Sequence, residues 1–241
     1  MELLNEDLKW CVKRLPLKLK NMMVAAGPEI VVAGGFIRSC VAGEEIRDVD
    51  VFTRSKEKAD EFSTKLATHA EGPPELVYKT DNANTVKCKP YSVQFIHRWT
   101  FEKPENVISS FDFTVACSAL WHDNGWKSLC HDRFYADLAA KRLVYCKPER
   151  NEDAGGSMLR VLKFYQRGYR IPLDSLGAVI ARLCMGIKPD DGLNGIAGET
   201  LEIRTGRLLT GLLLEVDPNA TVSHDAFLPA STEVINENTG E

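Results

Sequence analysis

Two short segments carry the residues with the most specific chemistry. Gly34-Gly35-Phe36-Ile37-Arg38 joins a glycine pair to a guanidinium, and Arg47-Asp48-Val49-Asp50-Val51-Phe52 follows with two carboxylates two residues apart. A glycine pair at a turn lets backbone N–H groups approach an anion, and the positive end of a following helix favours negative charge there. Carboxylates two apart on a strand point to one face. Convergent carboxylates, with substrate phosphates completing the shell, are what magnesium uses in polymerase-type sites. A triphosphate cradle beside a metal-binding pair is the equipment of nucleotidyl transfer. Asp-x-Asp alone is common on exposed edge strands, but here Ile46, Val49 and Val51 alternate with the acids, so the opposite face of the strand is expected to be buried.

The elements that must position these residues are legible around them. Glu29 to Ala33 is β-branched and bounded by Pro28 and the glycines, which predicts a buried strand ending in a tight turn, with a helix opening at Phe36 and running to Ala42. Glu6 to Lys20 shows helical periodicity broken at Pro16. Ser55 to Ala70 reads as a helix capped at Ser55 with Ala59, Phe62, Leu66 and Ala70 on one face. Extended segments follow around Leu76 to Lys79, Val86 to Lys89 and Tyr91 to His97. Phe111 to Trp121 and Trp126 to Cys130 form a predicted hairpin about His122-Asp123-Asn124-Gly125, followed by a helix over Arg133 to Arg142 and a short strand at Leu143 to Cys146. On a helix expected over Ser157 to Arg167, Met158, Val161, Leu162 and Tyr165 form an apolar face and Arg160, Lys163 and Arg167 a basic one. Leu173 to Ile187 and Leu201 to Val216 are further amphipathic candidates.

Asp112 is a single charge in the apolar run Phe111-Asp112-Phe113-Thr114-Val115, where an unpaired carboxylate is costly to bury. It is either a third carboxylate of the site or an aspartate on an edge strand, satisfied by solvent or an arginine. The basic face of the Ser157 to Arg167 helix has two readings as well, a solvated surface or a stripe that meets phosphates.

At this level of detail the chain resembles the polymerase-beta nucleotidyltransferase superfamily, in its class II branch of CCA-adding enzymes and poly(A) polymerases. The resemblance spans most of residues 28 to 171. The Gly-Gly-x-Val-Arg-Asp and Lys-Asp-Ile-Asp-x-x-Thr segments of that branch look like Gly34 to Ser39 and Arg47 to Thr53. Arg-Arg-Asp-Phe-Thr-Ile-Asn-Ala looks like Ser110 to Cys117. A Glu-Asp-x-x-Arg block is similar to Glu152-Asp153 followed by Arg160 to Phe164 and Gly168-Tyr169-Arg170-Ile171. The chain departs from these patterns at Ser39, Ser110, Phe111 and Ala116, and Ala154 to Ser157 supply no base-reading arginine. The choice between CTP and ATP therefore does not carry over. The resemblance implies an α+β fold, with a mixed-sheet catalytic head over 1–150 and a helical neck-like domain over 151–216, and the polar, acidic composition of 217–241 reads as a flexible tail or a partner-binding segment. It implies a two-metal magnesium site at Asp48, Asp50 and Asp112. It also implies nucleotide binding by Gly34, Gly35 and Arg38, with Arg160 and Lys163 assisting. The expected substrates are ATP or CTP and the 3′ end of a tRNA-like RNA. A protein or small-molecule hydroxyl is the alternative acceptor, and a silent nucleotide-binding module the alternative role.

Composition fits this expectation. The 241 residues suffice for one or two domains with a sizeable core. No apolar run reaches transmembrane length, and the N-terminus lacks a signal-peptide pattern. Seven cysteines without a Cys-x-x-Cys pair argue for a reducing compartment, so a cytoplasmic protein is expected. Cys117, His122, Cys130 and His131 match no common zinc spacing. A net charge of −4 indicates that any phosphate-binding surface is local.

Overall fold

The structure, a computed structural model, describes residues 1–68, 77–146 and 155–186, with positions 148 and 206. The alternating apolar segments become seven strands: β1 (Ile30–Ala33), β2 (Asp48–Thr53), β3 (Val77–Lys79), β4 (Ala83–Val86), β5 (Ser92–Ile96), β6 (Ser118–His122) and β7 (Trp126–Cys130). They form one mixed sheet in the order β3-β4-β5-β2-β1-β6-β7, in which β2 and β5 are parallel and every other neighbouring pair is antiparallel. The helices are α1 (Asn5–Arg14), α2 (Leu17–Ala26), α3 (Gly35–Ala42), α4 (Lys56–Thr68), α5 (Phe134–Ala139), α6 (Gly156–Tyr165) and α7 (Leu173–Gly186). The α+β architecture anticipated from the sequence is the one observed.

The two faces of the sheet are covered differently. Ile30, Val32, Val49, Val51, Val93 and Phe95 are fully buried on one face. There α4 lays down Ala59, Phe62 and Leu66, and Asn84 of β4 donates from Nδ2 to Asp60 Oδ1 at 2.8 Å and to Ser63 Oγ at 3.2 Å. The Ser55 cap is present, with its hydroxyl accepting from the Lys58 N–H at 3.2 Å. On the other face Val31, Ala33, Phe52, Ala119 and Trp121 form a second apolar cluster with Val107, and Phe101, Ile108 and Phe111 pack against it. That cover comes from the stretch leading through a 3-10 helix at Pro104–Ser110. It reaches only part of the face.

Several boundaries differ from expectation for identifiable reasons. β4 runs over Ala83–Val86 because Thr80 closes a tight turn, its N–H donating to the Ala83 carbonyl at 2.9 Å and its hydroxyl accepting from the Ala83 N–H at 3.1 Å. The strand expected from Phe111 begins only at Ser118. Its first half pairs instead with the 144–146 segment, through Thr114 N–H to Val144 O at 3.0 Å and Cys146 N–H to Asp112 O at 2.8 Å, and then coils into a 3-10 turn at Thr114–Ala116. On α6 the buried residues are Ser157, Val161 and Phe164, at i, i+4 and i+7, which leaves Tyr165 67% exposed rather than on the apolar face. The helix expected over Leu201 to Val216, the tail from 217, and Glu152, Asp153 and Ala154 lie outside the described residues.

The described residues fall into two units. One comprises Met1–Arg150 with Tyr169–Ser175, and the other Asn151–Gly168 with Leu176–Glu241. The first contains the whole sheet. No helix among the described residues is long and apolar enough to cross a membrane.

Asp137, fully buried on α5, is the charge around which the 114–142 region closes. Arg133 donates to it from Nε and Nη2 at 3.1 Å each, Thr114 from its hydroxyl at 2.7 Å, and Arg142 pairs with it at 3.3 Å. Burial pushes this carboxyl up, but the hydrogen bonds from Arg133 and Thr114 and both cationic charges outweigh it and hold the group below its ordinary value. A depressed carboxyl contributes stability above its unfolded pKa that is lost as pH falls through the folded one. Arg133→Ala with Arg142→Ala strips a buried carboxylate of its partners and is expected to cost about 3 kcal/mol in urea unfolding at neutral pH. The deficit relative to wild type should shrink below about pH 4, where the carboxylate takes up a proton.

Candidate active site

Asp48 and Asp50 leave β2 on the same face as Phe52, their Cα atoms about 6.6 Å apart by strand geometry. Val49 and Val51 anchor the opposite face at zero exposure, which fixes the direction of both carboxylates. The parallel neighbour β5 sets Ser92 beside Asp48 and Gln94 beside Asp50. Gln94 donates from Nε2 to Asp48 Oδ2 at 3.3 Å, so one carboxylate is oriented from the adjacent strand. The antiparallel register of β1 on β2 pairs Val31 with Phe52 and Val32 with Val51. Continued by one residue, it sets Ala33 opposite Asp50, so the Gly34-Gly35 turn leaves the sheet beside the acids.

That turn requires glycine at its first position for two separate reasons. Gly34 has φ 75° and ψ −124°, a region L side chains avoid, and a Cβ there would lie 2.7 Å from Phe111 Cε1. The Gly34 N–H donates to the Ser118 carbonyl at 2.9 Å, which ties the turn to β6. The first turn of α3 then presents amides without an intrahelical acceptor beside the carboxylates, the arrangement that receives an anion.

Arg38, on α3, is 7% exposed. Its guanidinium lies over Gly35, within 3.8–3.9 Å of where a Cβ would sit. Its Nε donates to Glu44 Oε2 at 3.2 Å and its Nη2 to Ser39 Oγ at 3.3 Å, and Glu44 Oε1 also accepts from the Tyr169 hydroxyl at 2.8 Å. The cation is thus at the glycine turn but shared with an acid. Glu44 and Tyr169 had no local sequence signal, since the contact joins residues far apart in the chain. Gln94 had one, as the polar partner of Val93 and Phe95 in an alternating strand.

The acids are electrostatically frustrated. Desolvation first, and the neighbouring Asp48 charge second, push the half-buried Asp50 carboxyl up to about 7, against the pull of Arg38. Two oxygen donors held together at this cost fit a hard divalent cation such as Mg2+. Among the described residues no three His, Cys, Asp or Glu side chains converge into a metal-holding group. The expected third member, Asp112, is 1% exposed and lies outside the strands, in the segment whose backbone pairs with 144–146. Further oxygens for a metal at Asp48 and Asp50 would come from phosphate or water. Arg160, half-buried, and Lys163, exposed, sit on α6 in the second unit.

Two outcomes follow from this geometry. A raised carboxyl makes the folded protein bind a proton that the unfolded chain has released, so metal-free stability should fall as pH rises from about 4 to about 7 and level off above. Asp50→Asn should remove that slope and raise the melting temperature at pH 8 by about 2–4 °C, the displacement that one kcal/mol produces in a chain of this length. Gly34→Ala, which must change φ and displace Phe111, should lower the melting temperature, as read by calorimetry.

The comparisons with known proteins agree with the geometry at the level of fold. Over 89% of this chain and 56% of theirs, the structures of a Thermotoga maritima CCA-adding enzyme complexed with tRNA and of a CCA-adding enzyme with ATP superpose with TM-scores of 0.52 and 0.53, at 16% and 17% identity. The CTP complex of a CCA-adding enzyme gives 0.51 at 17% identity. The chain spans little more than half the length of these enzymes. A curated relative, Gabija anti-defense 2 of Bacillus phage SPbetaL7, is 34% identical over 91 residues, which are 38% of this chain and 22% of the relative. A family model described as Gad2, Gabija anti-defense 2 family protein, matches residues 2–141, more than half of the chain and the whole of the sheet. On that match, a nucleotidyltransferase-like fold with paired carboxylates belongs here to the Gabija anti-defense 2 family.

Proposed function

We propose that this protein is a magnesium-dependent nucleotidyltransferase whose transfer serves the anti-defense role for which its family is named. The observation that carries the reading is the convergence of Asp48 and Asp50 beside the Gly34-Gly35 turn, where burial and the neighbouring Asp48 charge raise Asp50 to about 7. In this reading the first amides of α3 take the outer phosphates of a nucleoside triphosphate, with Arg38 adding positive charge from behind. Asp48, steadied by Gln94, and Asp50 hold magnesium. Bound there, the ion would neutralise phosphate charge and lower the pKa of a coordinated hydroxyl. Alignment of an acceptor hydroxyl with the α phosphorus would then suffice for pyrophosphate to leave. The CCA-adding enzymes of similar fold are described with ATP, CTP and tRNA, which favours ATP or CTP as donor and an RNA 3′ end as acceptor. Asp112 keeps a supporting role in this proposal, at the acceptor.

A second reading is supported by a specific observation. Arg38 is engaged by Glu44, and the ring of Phe111 lies against Gly34 where the similar family has an arginine. A module that binds a nucleotide without turning it over would tolerate both. Incubation with each α-labelled nucleoside triphosphate, magnesium and either total RNA or a protein extract distinguishes them. Transfer of label, reduced at least a thousandfold in Asp48→Ala/Asp50→Ala while circular dichroism stays unchanged, is the expected result. Transfer that survives the double substitution would refute the assignment. Nucleotide binding without any transfer would favour the silent module.

A further inference from the structure

The stretch from Leu8 of α1 into α2 is basic, following Glu6 and Asp7 in the first turn of α1, of which Glu6 pairs with Lys9 at 3.2 Å. From Leu8 to Pro28 the sequence has five cations, Lys9, Lys13, Arg14, Lys18 and Lys20, and no acid, in a protein whose net charge is −4. Trp10 stands among them 43% exposed, with the Lys13 ammonium 5.9 Å and the Arg14 guanidinium 5.3 Å from its ring centroid. Leu17, 64% exposed, extends the patch. An indole left half in water costs apolar exposure. One flanked by two cations is arranged for a flat ring carrying negative charge alongside it.

Arg14 connects this patch to the candidate active site. Its Nη2 donates to the Tyr91 hydroxyl at 2.8 Å, whereas its buried Nε meets no acceptor. A guanidinium N–H held out of water without a partner is a costly arrangement that a phosphate oxygen would relieve. Tyr91 immediately precedes Ser92, the residue in register with Asp48, and its ring meets Phe36 of α3 edge-on at 6.3 Å between centroids. The patch therefore lies at the end of the sheet from which the carboxylates project.

We infer that the Trp10–Arg14 surface binds a single-stranded nucleic acid segment, stacking a base on Trp10 and seating a phosphate at Arg14. Stacking on an exposed aromatic is indifferent to base identity, and phosphate contacts by Lys and Arg make binding salt-dependent. An acidic protein segment would satisfy the cations but leave the indole without a flat partner. The inference rests on the proposed transfer reaction only in taking the bound strand to be its acceptor.

The test is fluorescence anisotropy of fluorescein-labelled ten-nucleotide RNA and DNA strands, and of a labelled polyglutamate peptide, with the full-length protein. Wild type should bind at least one strand more tightly than the peptide and lose affinity as salt rises. Trp10→Ala should weaken binding about tenfold. Lys9→Glu/Lys13→Glu, exposed and harmless to packing, should weaken it at least as much and flatten the salt dependence. Asp48→Ala/Asp50→Ala should still bind, so oligonucleotide binding without label transfer by any variant would remove the transfer reading alone. No strand binding by wild type, equal binding by the Trp10 and lysine variants, or a preference for polyglutamate would overturn the inference whether or not transfer occurs.

Discussion

Two carboxylates held side by side on one strand, in a place where one of them resists ionisation, are the constraint to which the rest of the first unit answers. Asp48 and Asp50 cannot turn away from each other, because Val49 between them and Val51 after them are locked into the opposite face beneath α4. The sheet thus spends packing free energy to sustain a like-charge repulsion. Such an arrangement is common at sites where a cation is bound and uncommon where a strand has only to be stable. The register of β1 then brings the glycine turn to the same end of these central strands, and β5 supplies Gln94 from the other side. The arrangement depends on registers more than on any single side chain.

Much of this was legible before the structure. The alternation of acids and aliphatics through Asp48 to Phe52 determines the face, and Gly34 between a β-branched run and a helix determines the turn. Both are local patterns with a physical cause. The strand expected from Phe111 was harder to read because the aromatic run has strand composition, yet its backbone groups find partners in the 144–146 segment rather than in the sheet. Tyr165 was misplaced for a similar reason. A helical face is chosen by what it packs on, and Phe164, one residue away and without a hydroxyl to solvate, is the one buried. The Arg38–Glu44–Tyr169 chain could not be foreseen, since its last link bridges residues remote in sequence.

That chain also separates this protein from a simple transfer of the CCA-adding template. A guanidinium shared with a carboxylate presents less positive charge to a triphosphate than a lone one, and Phe111 makes the wall of the glycine turn apolar on one side. In the proposed reaction, metal charge at Asp48 and Asp50 would therefore matter more for neutralising phosphate.

The central claim, that Asp48 and Asp50 are the shared ligands of a divalent cation bridging a nucleotide, is tested most directly by anomalous diffraction from crystals grown with Mn2+ and a non-hydrolysable nucleoside triphosphate analogue. The account predicts manganese density in contact with both carboxylates, with the analogue's phosphates completing its shell and reaching the first amides of α3. Ordered nucleotide elsewhere on the protein, or manganese bound away from the pair while both aspartates remain free, would contradict it.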